Sequence, residues 1–405
     1  MDDFLGKLNE KTDRAYIWWT KHRTKTMHVA ILLMAVIAMF RLGYEFWRLV
    51  GTSEPNGAND LHLRYDEVRW WFSDKPVYIN SSHAGYAPAS YLILWPFIGW
   101  LQFLQARWVW AFTSVCALGG LSRTLITQSG ARGYVEHTFL ILILLSIYPV
   151  AITVGNGQMG IHIILALILC ALLLKYDRAA TVYGDILAAS LFIFALVKLN
   201  IAVPFLWIAL FVPGRLRPIF LVTIGYTLLT LLALCFRSES IWQIFSAFKS
   251  VSDPVIRQGG AHLGRLIISP EWTDWGSVGS LILLGALGIW IYKNRRVDIW
   301  VLLGVTGIVA RLWTYHRMYD DLLILLPMVA LYRIARQDYT TQRNQVIAGM
   351  LFVLSWIGLE IPGTLGRLEF PWNLPYDVGQ SIIWIAMLIF LVDPIQQTKR
   401  YIATN

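Results

Sequence analysis

The feature that most limits the fold is the recurrence of long apolar runs separated by short segments that hold nearly all of the charge. A helix needs about 20 apolar residues to cross a bilayer, and more when tilted. Candidate spans are Met27 to Val50, Pro88 to Leu104, Arg107 to Ile126, Glu136 to Val154, Met159 to Lys175, Gly184 to Val212, Ile219 to Phe236, Gly276 to Tyr292, Asp298 to Trp313, Asp321 to Arg336, Gln345 to Glu360 and Val378 to Val392. The pattern predicts an all-α, polytopic integral membrane protein with about 12 transmembrane helices. Of the 405 residues 57% are hydrophobic and 15% charged, and no polar interval is long enough to bury a core of its own. One transmembrane domain over residues 1–405 is expected.

Basic residues set the orientation. Residues 1–26, Gly214 to Pro218, Lys293 to Arg296, Arg333 to Arg343 and the tail around Lys399 and Arg400 are all basic, so all should be cytoplasmic. An even number of spans satisfies every one of them, provided Gly184 to Val212 is one long helix interrupted near Lys198 and Pro204. Arg123 and Arg132 then fall outside, against the rule. The first span has no small-residue cleavage site after it and reads as a retained anchor. The loops at residues 51–87 and 237–275 fall on the extracytoplasmic side, where the active face should be. The net charge of +9 is thereby used in topology, and nucleic-acid binding is the weaker reading. Cys116, Cys170 and Cys235 sit in apolar runs and support neither a disulfide framework nor a zinc site.

The densest polar stretch is Asn59 to Pro96, NDLHLRYDEVRWWFSDKPVYINSSHAGYAPASYLILWP. Read as a helix, Asp60, Arg64 and Glu67 share one face while Leu61, Tyr65, Val68 and Phe72 share another, which describes a helix lying on the membrane surface. Ser240 to Val251 reads as a second surface helix. Trp70, Trp71, Trp95, Trp100, Trp272, Trp275 and Trp372 read as interfacial anchors.

An Asn-Asp pair at a helix start is ordinarily a cap. At the first membrane exit, however, the Asp60 carboxylate is placed to take a proton from a hydroxyl of a bilayer-resident substrate. Asp66, Glu67 and Asp74 are alternatives, Glu67 first among them. Arg41, Glu45 and Arg48 lie along one face of the first span and must meet protein or a watered cavity, as an ion-pair network or against substrate. Lys198, deep in apolar sequence beside Pro204, either snorkels or partners an anion. Gly155 to Gln158 permits a non-helical break that presents Asn156 and Gln158, although an ordinary turn explains it equally. The corner Trp313 to Asp321, WTYHRMYDD, combines proton-transfer and anion-binding groups in Tyr315, His316, Arg317, Asp320 and Asp321. There is no P-loop, HExxH, GxSxG or GxGxxG, so an enzyme of this sequence must use an activated substrate.

These residues, ND with its amphipathic helix, Tyr86 to Pro88, NGQ at Asn156 to Gln158, Val197 to Pro204, and YHRMYD at Tyr315 to Asp320, together resemble the bacterial polytopic glycosyltransferases of family 87 over about Asn59 to Pro327. The resemblance implies a GT-C fold in a bacterial plasma (inner) membrane, with the active site facing outward. It implies a polyprenyl-phosphate sugar donor, with mannose as the sugar, and a glycolipid or glycan acceptor. No cofactor and no metal are implied. Asp60 would be the general base and His316 a further catalytic group, with Lys198, Arg317 and Arg64 on the donor phosphate. Tyr86, Asn156, Gln158, Tyr315, Asp320 and Glu67 would contact substrate. A lipid-linked sugar transporter or flippase, and a polysaccharide polymerase or ligase, are the competing functions, the former requiring inverted repeats that the sequence does not display.

Overall fold

The computed structural model describes residues 2–52, 57–81, 84–176, 181–258, 276–314, 316–337, 340–362 and 374–393. Among them there is no strand. The first helix, α1 (Asp2–Val50), extends well before the expected first span. Its buried stripe, Met27, Met34, Ala38, Glu45 and Leu49, follows the helical repeat, and its opposite side exposes Val29, Leu32, Val36, Phe40 and Trp47.

The same outward apolar face recurs on α5 (Phe103–Gln128), with Leu104, Trp108, Phe112 and Val115, and on α12 (Arg217–Leu234), with Phe220, Ile224, Leu228 and Leu231. Water would not tolerate such continuous apolar surface, and a bilayer fits it. By length and composition α5, α12 and Thr20–Val50 of α1 each suffice to cross a membrane. The bent pair α6 (Gly133–Ser146) and α7 (Tyr148–Asn156) does so jointly. The expected count of about 12 includes several shorter apolar helices.

The remaining expected spans fall on α4 (Pro88–Leu94, continued by a π turn to Gly99), α8 (Gly160–Lys175), α9 (Val182–Ala195), α14 (Gly276–Asn294), α15 (Ile299–Leu312), α16 (Leu325–Ala335) and α18 (Leu374–Val392). With α17 (Gln342–Glu360), every expected span falls on a helix.

Three expected spans are broken. Pro88 to Leu104 is interrupted at residues 100–102, between the π turn and α5. Glu136 to Val154 bends by 52° between α6 and α7, because Pro149 has no N–H to donate and its ring clashes with the preceding turn. Gly184 to Val212 is interrupted near Lys198 and Pro204, as expected, and its first part is α9. That part ends at Ala195, and the span resumes after Lys198 as α10 (Leu199–Ala202), a 3-10 turn through Pro204, and α11 (Leu206–Phe211). Side chains meet the carbonyls freed at this break: Ser90 Oγ donates to Val197 O at 3.1 Å and Trp313 Nε1 to Asn200 O at 2.8 Å. A broken helix is stable in a membrane only where such donors are supplied.

The centre of the fold is α15, every residue of which is buried, Thr306 and Arg311 included. It packs against α16, α8 and the 3-10 turn Met318–Ile324. Glycines at 304 and 307 allow this, since a Cβ on Gly307 would stand 2.9 Å from the Leu323 carbonyl oxygen. At one end of this core sits α2 (Asn59–Phe72), followed by the short α3 (Val77–Asn80). The expected second surface helix is α13 (Ile241–Gln258), which buries Ile244, exposes Trp242, and sets Phe248 edge-on to Tyr78 at 5.4 Å.

Candidate functional site

α2 starts at a specific joint. Ala58 is its cap, in the left-handed region at φ 56°, and its N–H is bonded to Gly155 O at 3.0 Å. Neither Asn59 nor Asp60 makes a side-chain cap. The joint is made by the NGQ segment: Gly157, at φ 68°, ends α7, and a Cβ there would lie 2.5 Å from Leu61 Cβ. Asn156 and Gln158 belong to this turn. Asn156 Oδ1 accepts from Arg48 at 3.3 Å, and the Gln158 N–H donates to Thr153 O at 2.8 Å.

The inner face of α2 is more polar than its apolar pattern indicates. Leu61, Tyr65 and Val68 are buried, as the pattern predicts, but so are Glu67 and Trp71. Trp71 is not an interfacial anchor: it stacks on Tyr91 at 4.9 Å and donates to Ala233 O at 3.0 Å. Trp95 and Trp100 are exposed and suit that role. Trp272, Trp275 and Trp372 lie outside the described residues.

Glu67 is fully buried, with Arg64 Nη1 at 2.5 Å from one carboxylate oxygen and Ser81 Oγ donating to the other at 3.1 Å. Burial pushes its carboxyl up to about 7, although Arg64 and Ser81 pull the other way. The Arg64 guanidinium lies 4.3 Å from the centre of the Tyr86 ring. Of the other acids, Asp66 stands 3.5 Å from His62 Nε2. Asp74 accepts from the Ser238 N–H at 2.9 Å, and the Ser238 hydroxyl, followed by that N–H, holds its carboxyl below the ordinary range.

The far partners come to this end of the fold. The break after α9 delivers Lys198, and the 3-10 turn at 318–324 directs Asp320 inward. Lys198 Nζ bonds Asp320 Oδ1 at 2.6 Å and lies 4.6 Å from the Tyr319 ring centre. The other oxygen of Asp320 meets His316 Nδ1 at 3.1 Å and the Arg317 N–H at 3.3 Å. Asp321 next to it takes Arg311 Nε at 2.5 Å. His316 Nε2 is buried and has no hydrogen-bond partner among the described residues. Asn200 Nδ2 also lies 3.5 Å from His316 Nδ1. The Arg317 side chain is exposed, and Tyr315 lies outside the described residues.

Asp60 lies within electrostatic range of both halves. It is half-buried, and its charge acts on Arg64, Tyr86, Lys198 and Tyr319 alike. Asp60, Arg64, Tyr86, Lys198, His316 and Asp320 therefore share one end of the molecule. Asn156 and Gln158 instead hold the seat on which α2 rests. Of the two readings of Arg41, Glu45 and Arg48, the structure shows an ion-pair network: Arg48 bonds Glu45 at 2.7 Å, and Arg41 bonds the Glu360 carboxylate at 2.9 Å.

Three contributors escape sequence reasoning. Ser81 had no signal. Glu360 could be suspected only as an acid closing an apolar run. Tyr319 stands inside the polar corner, and only the cation over its ring distinguishes it.

The apolar outer faces and the carboxylate, ammonium and imidazole gathered at one end define a membrane protein with a buried polar cluster. The sequence profile of glycosyltransferase family 87 matches residues 85–332, more than half of the chain, and the chain belongs to that family. The match takes in Tyr86, Lys198, His316, Arg317 and Asp320, while α2 with Asp60 precedes it. Comparisons with curated proteins and with solved structures found no match.

Proposed function

We propose that this glycosyltransferase moves a single sugar, mannose, from a polyprenyl-phosphate donor to a lipid or glycan acceptor, with inversion, at the extracytoplasmic face of a bacterial plasma membrane. The observation that carries the reading is the convergence of Lys198, His316 and Asp320 from separate parts of a chain that belongs to family 87, with the charge of Asp60 acting on Lys198 and Tyr319.

In this mechanism Asp60 accepts the proton of an acceptor hydroxyl as that oxygen attacks the anomeric carbon. The bond from the anomeric carbon to the phosphate oxygen breaks with its electron pair, releasing polyprenyl phosphate. Lys198 and Arg317 carry the negative charge that develops on the leaving phosphate, and Arg64 extends this positive wall. His316, held by Asp320, stands with Lys198 and Arg317 on the phosphate side of the site. Asp320 holds Lys198 and His316 in place before the donor arrives, and a phosphate entering beside Lys198 shares its charge with that carboxylate. Tyr86, stacked on Arg64, lines the approach for the acceptor, and Glu67 keeps Arg64 on α2.

Reconstitution of the full chain in vesicles with labelled polyprenyl-phosphate-mannose and an acceptor lipid extract tests this. The expected product carries one added mannose with the anomeric configuration opposite to that of the donor. Movement of the donor across the bilayer with no new glycosidic bond would establish a transporter instead.

A further inference from the structure

At the opposite end of α15, about 20 Å away by the rise of a 14-residue helix, lies a cavity of about 670 Å³. Its walls come from the ends of α5, α8 and α16 and the start of α15. Three cationic side chains, Lys175, Arg296 and Arg333, line it against one carboxylate, Asp298. Asp298 caps α15 through the Trp300 N–H at 2.8 Å and accepts from Arg333 at 2.7 Å, so its charge is already shared. Lys175 Nζ points to the carbonyls of Arg296 and Val297, each at 3.4 Å, long for bonds to an ammonium. Arg333 also donates to the Gln128 carbonyl, while its Nε is buried without a hydrogen-bond partner among the described residues. Among the described lining residues of this concave site, cations outnumber carboxylates three to one.

The volume is in the range of about 300–1,000 Å³ usual for small-molecule sites. Its lining is mixed, with Val297, Ile299 and Trp300 beside the cations. Tyr176 at its edge is exposed, at the end of an apolar helix where an aromatic ring meets lipid headgroups. Basic pockets between membrane helices recognise phosphate headgroups by this combination of cations above and apolar surface below.

We infer that this cavity binds a phosphate-bearing anion, from either an acidic phospholipid headgroup or soluble phosphate, at a site separate from the proposed transfer chamber. The full chain in detergent, titrated with phosphatidylglycerol and with phosphatidylcholine and read by native mass spectrometry, tests it. Phosphatidylglycerol should bind about tenfold more tightly, and a photoactivatable headgroup label should fall on the peptides around Lys175 and residues 296–300. Lys175→Gln and Arg296→Gln should each weaken binding several-fold. Lys293→Gln, the same charge change on an exposed residue outside the cavity, should leave it unaltered. Displacement of the lipid by inorganic phosphate, but not by chloride at equal ionic strength, assigns the site to the phosphate group from either source. Failure of phosphate to compete, with the lipid still bound, assigns it to the headgroup of a lipid alone. Equal binding of the two lipids without phosphate competition, or equal weakening by Lys293→Gln, overturns the inference. The labelling and competition results are read on the wild-type chain and decide the matter even if a variant does not fold.

Discussion

Lys198 and Asp320, 122 residues apart, form a buried ion pair at 2.6 Å that joins a break in one helical segment to a 3-10 turn before another. Neither charge would be stable alone at such a depth. The pair holds a cation at the place where the proposed leaving phosphate would need one.

Breaking that pair by Lys198→Met or Asp320→Leu singly is expected to destabilise the protein by about 3–5 kcal/mol, because each leaves an uncompensated buried charge. The double variant should cost less than either single change, since it leaves neither. Unfolding midpoints in detergent of the two single variants and the double variant check this, and additive losses would dissociate the pair.

Asp60→Asn should lower sugar transfer by about 10²–10⁴-fold, the range of a positioned general base. The Asp60 side chain makes no cap, so the melting temperature should stay close to the parent value. Transfer at the parental rate would remove Asp60 from the mechanism.

Stability should depend on pH through Glu67. Its carboxyl lies near 7 in the fold, above the ordinary 4.5, so between those values the folded chain binds a proton that the unfolded chain has lost. The stabilisation is complete below about 4.5 and is lost as pH rises through about 7. Glu67→Gln keeps a neutral group against Ser81 and should remove this downward slope between pH 5 and 7. Unfolding midpoints of parent and variant across that interval measure the difference, and parallel curves would exclude Glu67 as its origin.

Gly157→Ala combines a left-handed backbone with a Cβ placed 2.5 Å from that of Leu61. A loss of about 1–3 kcal/mol is expected, together with lower transfer as α2 shifts. Gly130→Ala is a useful control: its φ of 76° imposes a similar backbone penalty, but nothing lies near its Cβ. It should lose stability without the same loss of transfer.

Much of the scaffold is visible in hydropathy because each apolar run can satisfy its backbone within a lipid environment only as helix. Every expected span falls on a helix for that reason. The breaks are visible only in part: Lys198 and Pro204 mark the interruption of Gly184 to Val212, but nothing local marks the groups that support it. Pro149 ends α6 where the sequence shows only one more apolar residue in a run, and the interruption at residues 196–198 depends on Ser90 and Trp313, which lie elsewhere in the chain. Within the site, Asp60, Lys198 and the 316–320 corner stand out as charges that an apolar chain has to explain. Their pairing does not, since nothing local to Lys198 names Asp320, and nothing local to Arg41 names Glu360, 319 residues away. Glu67 is the clearest instance of position overriding pattern: a polar residue on the face drawn as solvated is fully buried because Arg64 and Ser81 receive it.

The seat beneath α2 has a further consequence for engineering. Because Ala58 hangs from the Gly155 carbonyl and Leu61 rests where Gly157 has no side chain, the acid-bearing helix is not a portable module. A chimera that exchanged residues 59–72 for those of another transferase, to alter which acceptor is used, would mis-aim its carboxylate unless residues 155–158 travelled with it. Acceptor choice and the interior architecture would then have to diversify together.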